Sequence, residues 1–142
     1  MTHGLDTSFL VAVEVSSHKE HAGACSRFQK LLKAQDVFAL TPQILAEFIH
    51  VVTDARRFSS PLNLGEAVER AEIWWDASEV VHVFPTAEST LLFLGWLEEH
   101  RLGRKRLLDT MLASTLQAAG VTSILTLNRD DFAVFGGFSF PR

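Results

Sequence analysis

Short runs of apolar residues recur along the chain, each bounded by polar or turn-forming residues. Four of them lie at His3–Leu5, Val37–Leu40, Val80–Phe84 and Ser123–Leu127, and Phe138–Phe140 is a candidate for a fifth. Runs of this length are typical of buried β-strands. The pattern therefore predicts a central sheet of four to five strands.

Longer segments, in which apolar residues recur every three or four positions, separate these runs and predict helices. The predicted helices are Ser8–Val15, Glu20–Ala34, Pro42–Thr53, Glu66–Ala77, Ala87–His100 and Leu108–Ala119. Thr41 and Pro42 suit the start of the third helix, and Gly120 suits the end of the last. Strands that alternate with helices indicate a three-layer α/β/α domain with a mainly parallel sheet, and we expect residues 1–142 to form a single domain.

Polar side chains lie close to the predicted ends of the strands. Asp6 directly follows the first strand, and Asn128 and Asp131 follow the fourth. Glu47 lies on the margin of the apolar stripe of the helix after the second strand, and Asp109 lies at the start of the last helix. Because parallel sheets bind ligands at the carboxyl ends of their strands, we expect these five side chains to face one site.

Carboxylate and amide oxygens of this kind suit Mg²⁺ or Mn²⁺, which take hard oxygen ligands. Two such ions can activate water and stabilise the leaving oxygen of a phosphodiester. Each residue also has a simpler explanation, since Asp6 could cap a helix, Asp109 could face a helix dipole and Glu47 could be a solvated rim residue. Asn128 and Asp131 could be turn formers. Their conjunction at one edge favours a metal-dependent phosphodiesterase.

Composition adds little about the substrate. The chain of 142 residues has a formal net charge of −4, so the whole molecule carries no basic signal for nucleic acid. A single cysteine, Cys25, excludes an internal disulfide and favours a reducing compartment. The first residues do not resemble a signal peptide and no apolar run is long enough to span a bilayer, so we expect a cytoplasmic protein without membrane contact.

Four short motifs, in order and across nearly the whole chain, resemble those of PIN-domain nucleases. They are Gly4–Leu10, Thr41–Phe48, Leu108–Ser114 and Thr126–Phe132. Each motif is weakly specific alone, whereas the ordered set is a strong signal. Within the PIN domains, the chain length and the spacing of the motifs are similar to those of VapC-type toxins of bacterial toxin–antitoxin pairs.

The resemblance implies that Asp6, Glu47 and Asp109 bind Mg²⁺ or Mn²⁺ and that metal-activated water cleaves single-stranded RNA. It also implies a homodimer and a small antitoxin protein that blocks the site. Asn128 departs from the family pattern, because many PIN domains have Asp there. Either Asp131 supplies the missing charge or a second metal is held weakly. Ser8 is expected to hydrogen-bond Asp6 or the substrate, unless it is only a residue of the first helical turn.

A basic cluster precedes Asp109, and we predict that Arg104, Lys105 and Arg106 bind substrate phosphates there. The alternative for this cluster is a solvated loop at a helix end. We also expect the helices Ser8–Val15 and Pro42–Thr53 to offer the antitoxin an apolar groove.

Two other functions are compatible with the sequence. One is a phosphatase that forms an aspartyl-phosphate, although Ser8 stands where such enzymes usually have a second Asp. The other is a catalytically weak PIN-like module that binds RNA or a partner, which Asn128 would favour. Metal titration followed by an RNA cleavage assay separates these alternatives.

Overall fold

The computed structural model describes residues 1–142, with four strands, seven α-helices and one 3₁₀ turn. The strands are β1 (Thr2–Leu5), β2 (Val37–Leu40), β3 (Val80–His82) and β4 (Ile124–Leu125). The helices are α1 (Thr7–Glu14), α2 (His21–Lys33), α3 (Pro42–Val52), α4 (Leu64–Asp76), α5 (Ala87–His100), α6 (Leu107–Ala118) and α7 (Arg129–Ala133). The 3₁₀ turn, Arg104–Arg106, leads directly into α6.

The four strands form one sheet in the order β3-β2-β1-β4, and every neighbouring pair is parallel. The predicted α/β fold with a mainly parallel sheet is thereby confirmed. The candidate fifth strand does not form, because Ser139 makes only an isolated bridge to Ser123. Gly136 and Gly137, both with positive φ, turn the chain immediately before this segment.

At the amino-terminal edge of the sheet, a buried His3 on β1 connects three segments of the chain. Its Nε2 donates to Asp36 Oδ2 at 2.9 Å, and its Nδ1 accepts from Ser123 Oγ at 2.6 Å. The hydrogen bond from His3 lowers the pKa of Asp36. Because Asp36 precedes β2 and Ser123 precedes β4, this network fixes β1 between its two neighbours.

At the other end of β1, the strand packs closely against α6. Gly4 is buried, and a Cβ atom built there would lie 3.0 Å from Cδ2 and 3.2 Å from Cγ of Leu116, and closer still to the other methyl group. Leu116 is itself fully buried in the core. The absence of a side chain at Gly4 therefore allows α6, which carries Asp109, to approach the strand that ends at Asp6. No helix of the chain has the length and apolar character required to span a membrane.

Candidate active site

A cleft of about 690 Å³, which we call the acidic cleft, opens beyond the carboxyl ends of β1 and β4. All five polar residues predicted to converge line it, namely Asp6, Glu47, Asp109, Asn128 and Asp131. They come from the ends of β1 and β4 and from α3, α6 and α7. Parallel pairing brings the strand ends together, which is why positions so distant in sequence share one cleft.

Asp6 is the most enclosed of these side chains, with 6% of its surface exposed. It is the N-cap of α1, and its Oδ1 accepts from the backbone N–H of Thr7 at 2.9 Å. Its Oδ2 accepts from the hydroxyls of Ser8 at 2.8 Å and Thr126 at 2.7 Å. Burial nevertheless raises the pKa of Asp6 to about 6, because the neutral donors only partly offset desolvation.

Ser8 and Thr126 also connect Asp6 to the segment that follows β4. Ser8 Oγ accepts from the backbone N–H of Leu127 at 3.0 Å, and Thr126 Oγ1 accepts from that of Asn128 at 3.0 Å. The predicted contact between Ser8 and Asp6 is thus present in the structure. No sequence signal singled out Thr126, because a threonine at the end of a strand is ordinary until its partner is known.

Glu47 is half-buried on α3 and faces the start of α1. Its Oε2 accepts from Thr7 Oγ1 at 2.7 Å. Burial raises the pKa of Glu47, and the negative charge of Asp109 adds to that shift. On the same helix, Gln43 Nε2 donates to the backbone carbonyl of Leu108 at 3.0 Å. This bond connects the helix that carries Glu47 to the residue before Asp109, so it helps to fix the position of one carboxylate relative to the other.

Asp109 differs from Asp6 and Glu47 because an arginine contacts it. Arg106 Nε donates to Asp109 Oδ2 at 2.9 Å, and Arg106 Nη1 lies 3.4 Å from Asp131 Oδ1. Arg106 Nη2 also donates to the backbone carbonyl of Asp131. Burial still raises the pKa of Asp109, against the lowering effect of Arg106. One guanidinium therefore connects α6 to α7 and partly neutralises two of the acids in the cleft.

The sequence profile of the PIN domain matches residues 5–137, which is nearly the whole chain and includes every residue of the acidic cleft. The chain belongs to the PIN-domain family. No sequence of a curated protein matches this PIN domain at a significant level.

Solved structures of low sequence identity share the fold of this PIN domain. VapC20 of Mycobacterium tuberculosis, described as a Sarcin-Ricin loop cleaving toxin, is 17% identical with a TM-score of 0.74, and both chains are covered completely. VapBC2 from Rickettsia felis, bound to a DNA fragment from its promoter, is 18% identical with a TM-score of 0.70, over 99% of this chain and 97% of that one. VapBC-1 from nontypeable Haemophilus influenzae is 19% identical with a TM-score of 0.67, covering 99% and 96%.

The donor set of this PIN domain fits a hard divalent cation. Asp6, Glu47 and Asp109 offer only carboxylate oxygens, and the charge of Asp109 raises the pKa of both others. No group of three or more His, Cys, Asp or Glu side chains is already arranged to hold an ion. The contact of Arg106 with Asp109 is one physical reason, since it engages an oxygen that would otherwise face the cleft.

The structure divides the predicted substrate-binding cluster in two. Arg104 and Lys105 are exposed and form no ion pair, as a phosphate-binding surface requires. Arg106 is instead only 23% exposed and is engaged by Asp109 and Asp131. The sequence could not distinguish the three, because the position of α7 beside the turn decides which side chain meets Asp131.

Proposed function

We propose that this protein is a Mg²⁺- or Mn²⁺-dependent endoribonuclease that cleaves single-stranded RNA. The observation that carries the proposal is the convergence of Asp6, Glu47 and Asp109 on one cleft of a PIN domain. The same membership favours a nuclease over a phosphatase. We assign these three carboxylates as the metal ligands, and Asn128 and Asp131 as the residues that complete the site.

Each residue has a defined task in this proposal. Ser8 and Thr126 orient the Asp6 carboxylate through hydroxyl hydrogen bonds, and Thr7 does the same for Glu47. These neutral donors fix the ligands without cancelling their charge. When bound, the divalent cation supplies an activated water and stabilises negative charge on the phosphate. Arg104 and Lys105 contact the RNA backbone near Asp109.

We further propose that the protein is the toxin of a type II toxin–antitoxin pair, with a small antitoxin protein as its partner. The fold shared with VapC20 and VapBC proteins supports this assignment. The apolar groove expected between α1 and α3 stays a prediction. Most of α1, including Phe9, Leu10 and Ala12, is buried, but Val11 of α1 and Val51 of α3 both line the acidic cleft. Another groove, of apolar lining and about 380 Å³, lies between α3 and α4, with Leu45, Ile49 and Trp75 in its walls.

The nuclease proposal is tested by incubating the purified protein with single-stranded RNA in Mg²⁺, in Mn²⁺ and in excess chelator. We expect cleavage with either ion, none with chelator, and recovery when the ion is restored. Full cleavage in chelator would require chemistry without a metal. Sequencing the new RNA ends after induction in cells identifies the target. The homodimer stays a prediction, which sedimentation of the purified protein decides.

A catalytically weak binding module is the second candidate, and one observation favours it. Arg106 engages Asp109 and Asp131, and the neighbouring Asn128 carries no charge. Such a module would bind RNA without cutting it in any divalent cation.

The toxin assignment has its own test. Co-expression of the neighbouring open reading frame should relieve the growth arrest that this protein causes. If it neither binds the protein nor relieves arrest, the toxin assignment is wrong while the nuclease assignment stands.

A further inference from the structure

A second cleft, of about 510 Å³, adjoins the acidic cleft and has the opposite electrostatic character. Its walls carry Lys19 from the α1–α2 loop, Arg27 from α2 and Arg129 from α7. Ser8 and Asn128 line both clefts, so the two are continuous at the end of β4. We call this second cleft the basic cleft.

None of the cations of the basic cleft forms a close ion pair with a carboxylate. Arg27, Arg106 and Arg129 are the half-buried arginines of the chain, and only Arg106 forms ion pairs. Glu20, the single acid that lines the basic cleft, makes no ion pair with any of its cations. Partly enclosed guanidiniums are normally paired, because removing them from water is otherwise costly.

Arg27 and Arg129 also repel each other. Burial lowers the pKa of Arg27, and the positive charge of Arg129 lowers it further, while the negative charge of Glu20 partly opposes both. The Arg27 guanidinium lies 6.0 Å from the centre of the Phe9 ring, beside the cleft. Two like charges kept together, with no carboxylate in direct contact with either, favour binding of an anion between them.

We propose that the basic cleft binds a backbone phosphate of the RNA next to the scissile one. This inference rests on the proposed nuclease function, because the acidic cleft must receive the reacting phosphate. Ser8 and Asn128 join the two clefts, so a strand that leaves the carboxylates on this side passes the guanidiniums of Arg27 and Arg129. Guanidinium groups match phosphate oxygens in pairs, whereas the adjoining carboxylates alone would repel the strand. Arg104 and Lys105 would contact the strand elsewhere, beside α6.

The test is RNA binding by a double variant, Arg27→Gln with Arg129→Gln, in chelator so that no cleavage occurs. A fluorescent single-stranded oligouridine is the probe, and anisotropy is measured over a range of salt concentrations. We expect affinity to fall about tenfold or more at low salt. The log–log salt slope should fall by ~0.7 for each phosphate that the variant no longer neutralises. Lys30→Gln is the matched control, because Lys30 is an exposed cation of α2 outside the cleft, and its affinity should stay unchanged.

Several outcomes decide the inference separately from the proposed function. If the double variant binds oligouridine as tightly as the wild type while the wild type cleaves RNA, the inference is overturned and the nuclease stands. If the double variant fails to bind but the wild type never cleaves, the basic cleft is an RNA phosphate site, while the nuclease and the position beside a scissile phosphate are both disproved. Weaker binding of an acidic oligoglutamate peptide, with RNA binding intact, would assign the cleft to a protein partner and overturn the inference. Arg27→Lys should retain more RNA affinity than Arg27→Gln, because it keeps the charge but loses the paired contact, and this difference separates the effect of charge from a failure to fold.

Discussion

Asp6 and Asp109 lie in one cleft and are held in opposite ways. Asp6 accepts hydrogen bonds from one backbone amide and two hydroxyls, all of them neutral. Asp109 is held by the guanidinium of Arg106, which also contacts Asp131. Neutral donors fix a carboxylate and leave its charge available, whereas a cation fixes it and cancels much of that charge. Under the proposed function, Asp6 would therefore bind a cation with its present contacts, whereas Arg106 competes with the cation for Asp109.

The largest expected effect is on catalysis. Asp6→Asn should reduce RNA cleavage by at least about a hundredfold, because it removes a charged ligand from the proposed metal centre. A bound metal ion lowers the activation free energy by several kcal/mol. The fold should survive, since Asn is also a good N-cap residue. Circular dichroism and a cleavage assay measure the two properties. Asp130→Asn is the control, because Asp130 is exposed and outside the acidic cleft. Cleavage at the wild-type rate by folded Asp6→Asn protein would disprove the metal role.

The next effect is on the stability of the metal-free protein. Because the pKa of Asp6 is about 6 when folded and 3.8 in the unfolded chain, the folded state retains a proton that the unfolded state releases. The contribution of Asp6 to the free energy of unfolding is fully present below the unfolded pKa and is lost as the pH rises through the folded pKa. The loss amounts to about 3 kcal/mol. Asp36 and Asp54 have lowered pKa values and act in the opposite direction.

Comparison of variants isolates the effect of Asp6. In chelator, Asp6→Asn should be more stable than the wild type at pH 7 and nearly equal to it at low pH. Urea denaturation at several pH values measures the difference. Asp109→Asn should gain less, because Arg106 already favours the charged form of Asp109 and would lose a partner. An equal gain for both variants would show that the two sides of the cleft are not distinct.

A smaller effect is expected on metal affinity. Arg106→Gln should raise the affinity for Mn²⁺ about tenfold, because a cation no longer competes for Asp109, a change of ~1.4 kcal/mol. Calorimetry of the metal-free protein measures this directly. Lys105→Gln removes the same charge one residue away without a carboxylate contact, and its Mn²⁺ affinity should hardly change. Weaker Mn²⁺ binding by Arg106→Gln would assign Arg106 to supporting the metal site.

The smallest effect concerns the exposed cations. Replacing Arg104 and Lys105 by Gln should lower the salt dependence of RNA binding by ~0.7 in log–log slope per phosphate contact. Mn²⁺ affinity should remain that of the wild type, since neither side chain contacts a carboxylate. Anisotropy of a labelled single-stranded RNA in chelator measures the slope. An unchanged slope would mean that these two residues belong to a solvated turn.

The parallel sheet could be predicted from the sequence because apolar runs mark the strands. The six long helices begin and end within two residues of their predicted bounds for the same reason. The positions of Asp6 and Asn128 could also be predicted, because residues that follow parallel strands lie at the same edge of the sheet. Phe138–Phe140 was a candidate strand because its residues are mostly apolar like those of the other runs, whereas the structure gives it only one bridge, between Ser139 and Ser123. The contact of Arg106 with Asp109 spans only three positions of one helical turn, so the sequence could have indicated it. The contact of Arg106 with Asp131 and the basic cleft were missed because each joins segments that are far apart in sequence.

Gly4 allows α6 to lie close against β1. The strand that ends at Asp6 and the helix that carries Asp109 approach each other where Gly4 meets Leu116, so the absent side chain sets how closely the two elements lie. Gly4→Ala would alter no charge and no hydrogen bond of the cleft, yet its Cβ would press on Leu116 and push α6 away from β1. Under the proposed function, that shift would alter the separation of Asp6 and Asp109, and a small cation such as Mg²⁺ would tolerate little change in the positions of its ligand oxygens. The spacing of the proposed ligands is thus set in the core of this PIN domain, by how closely α6 lies on β1.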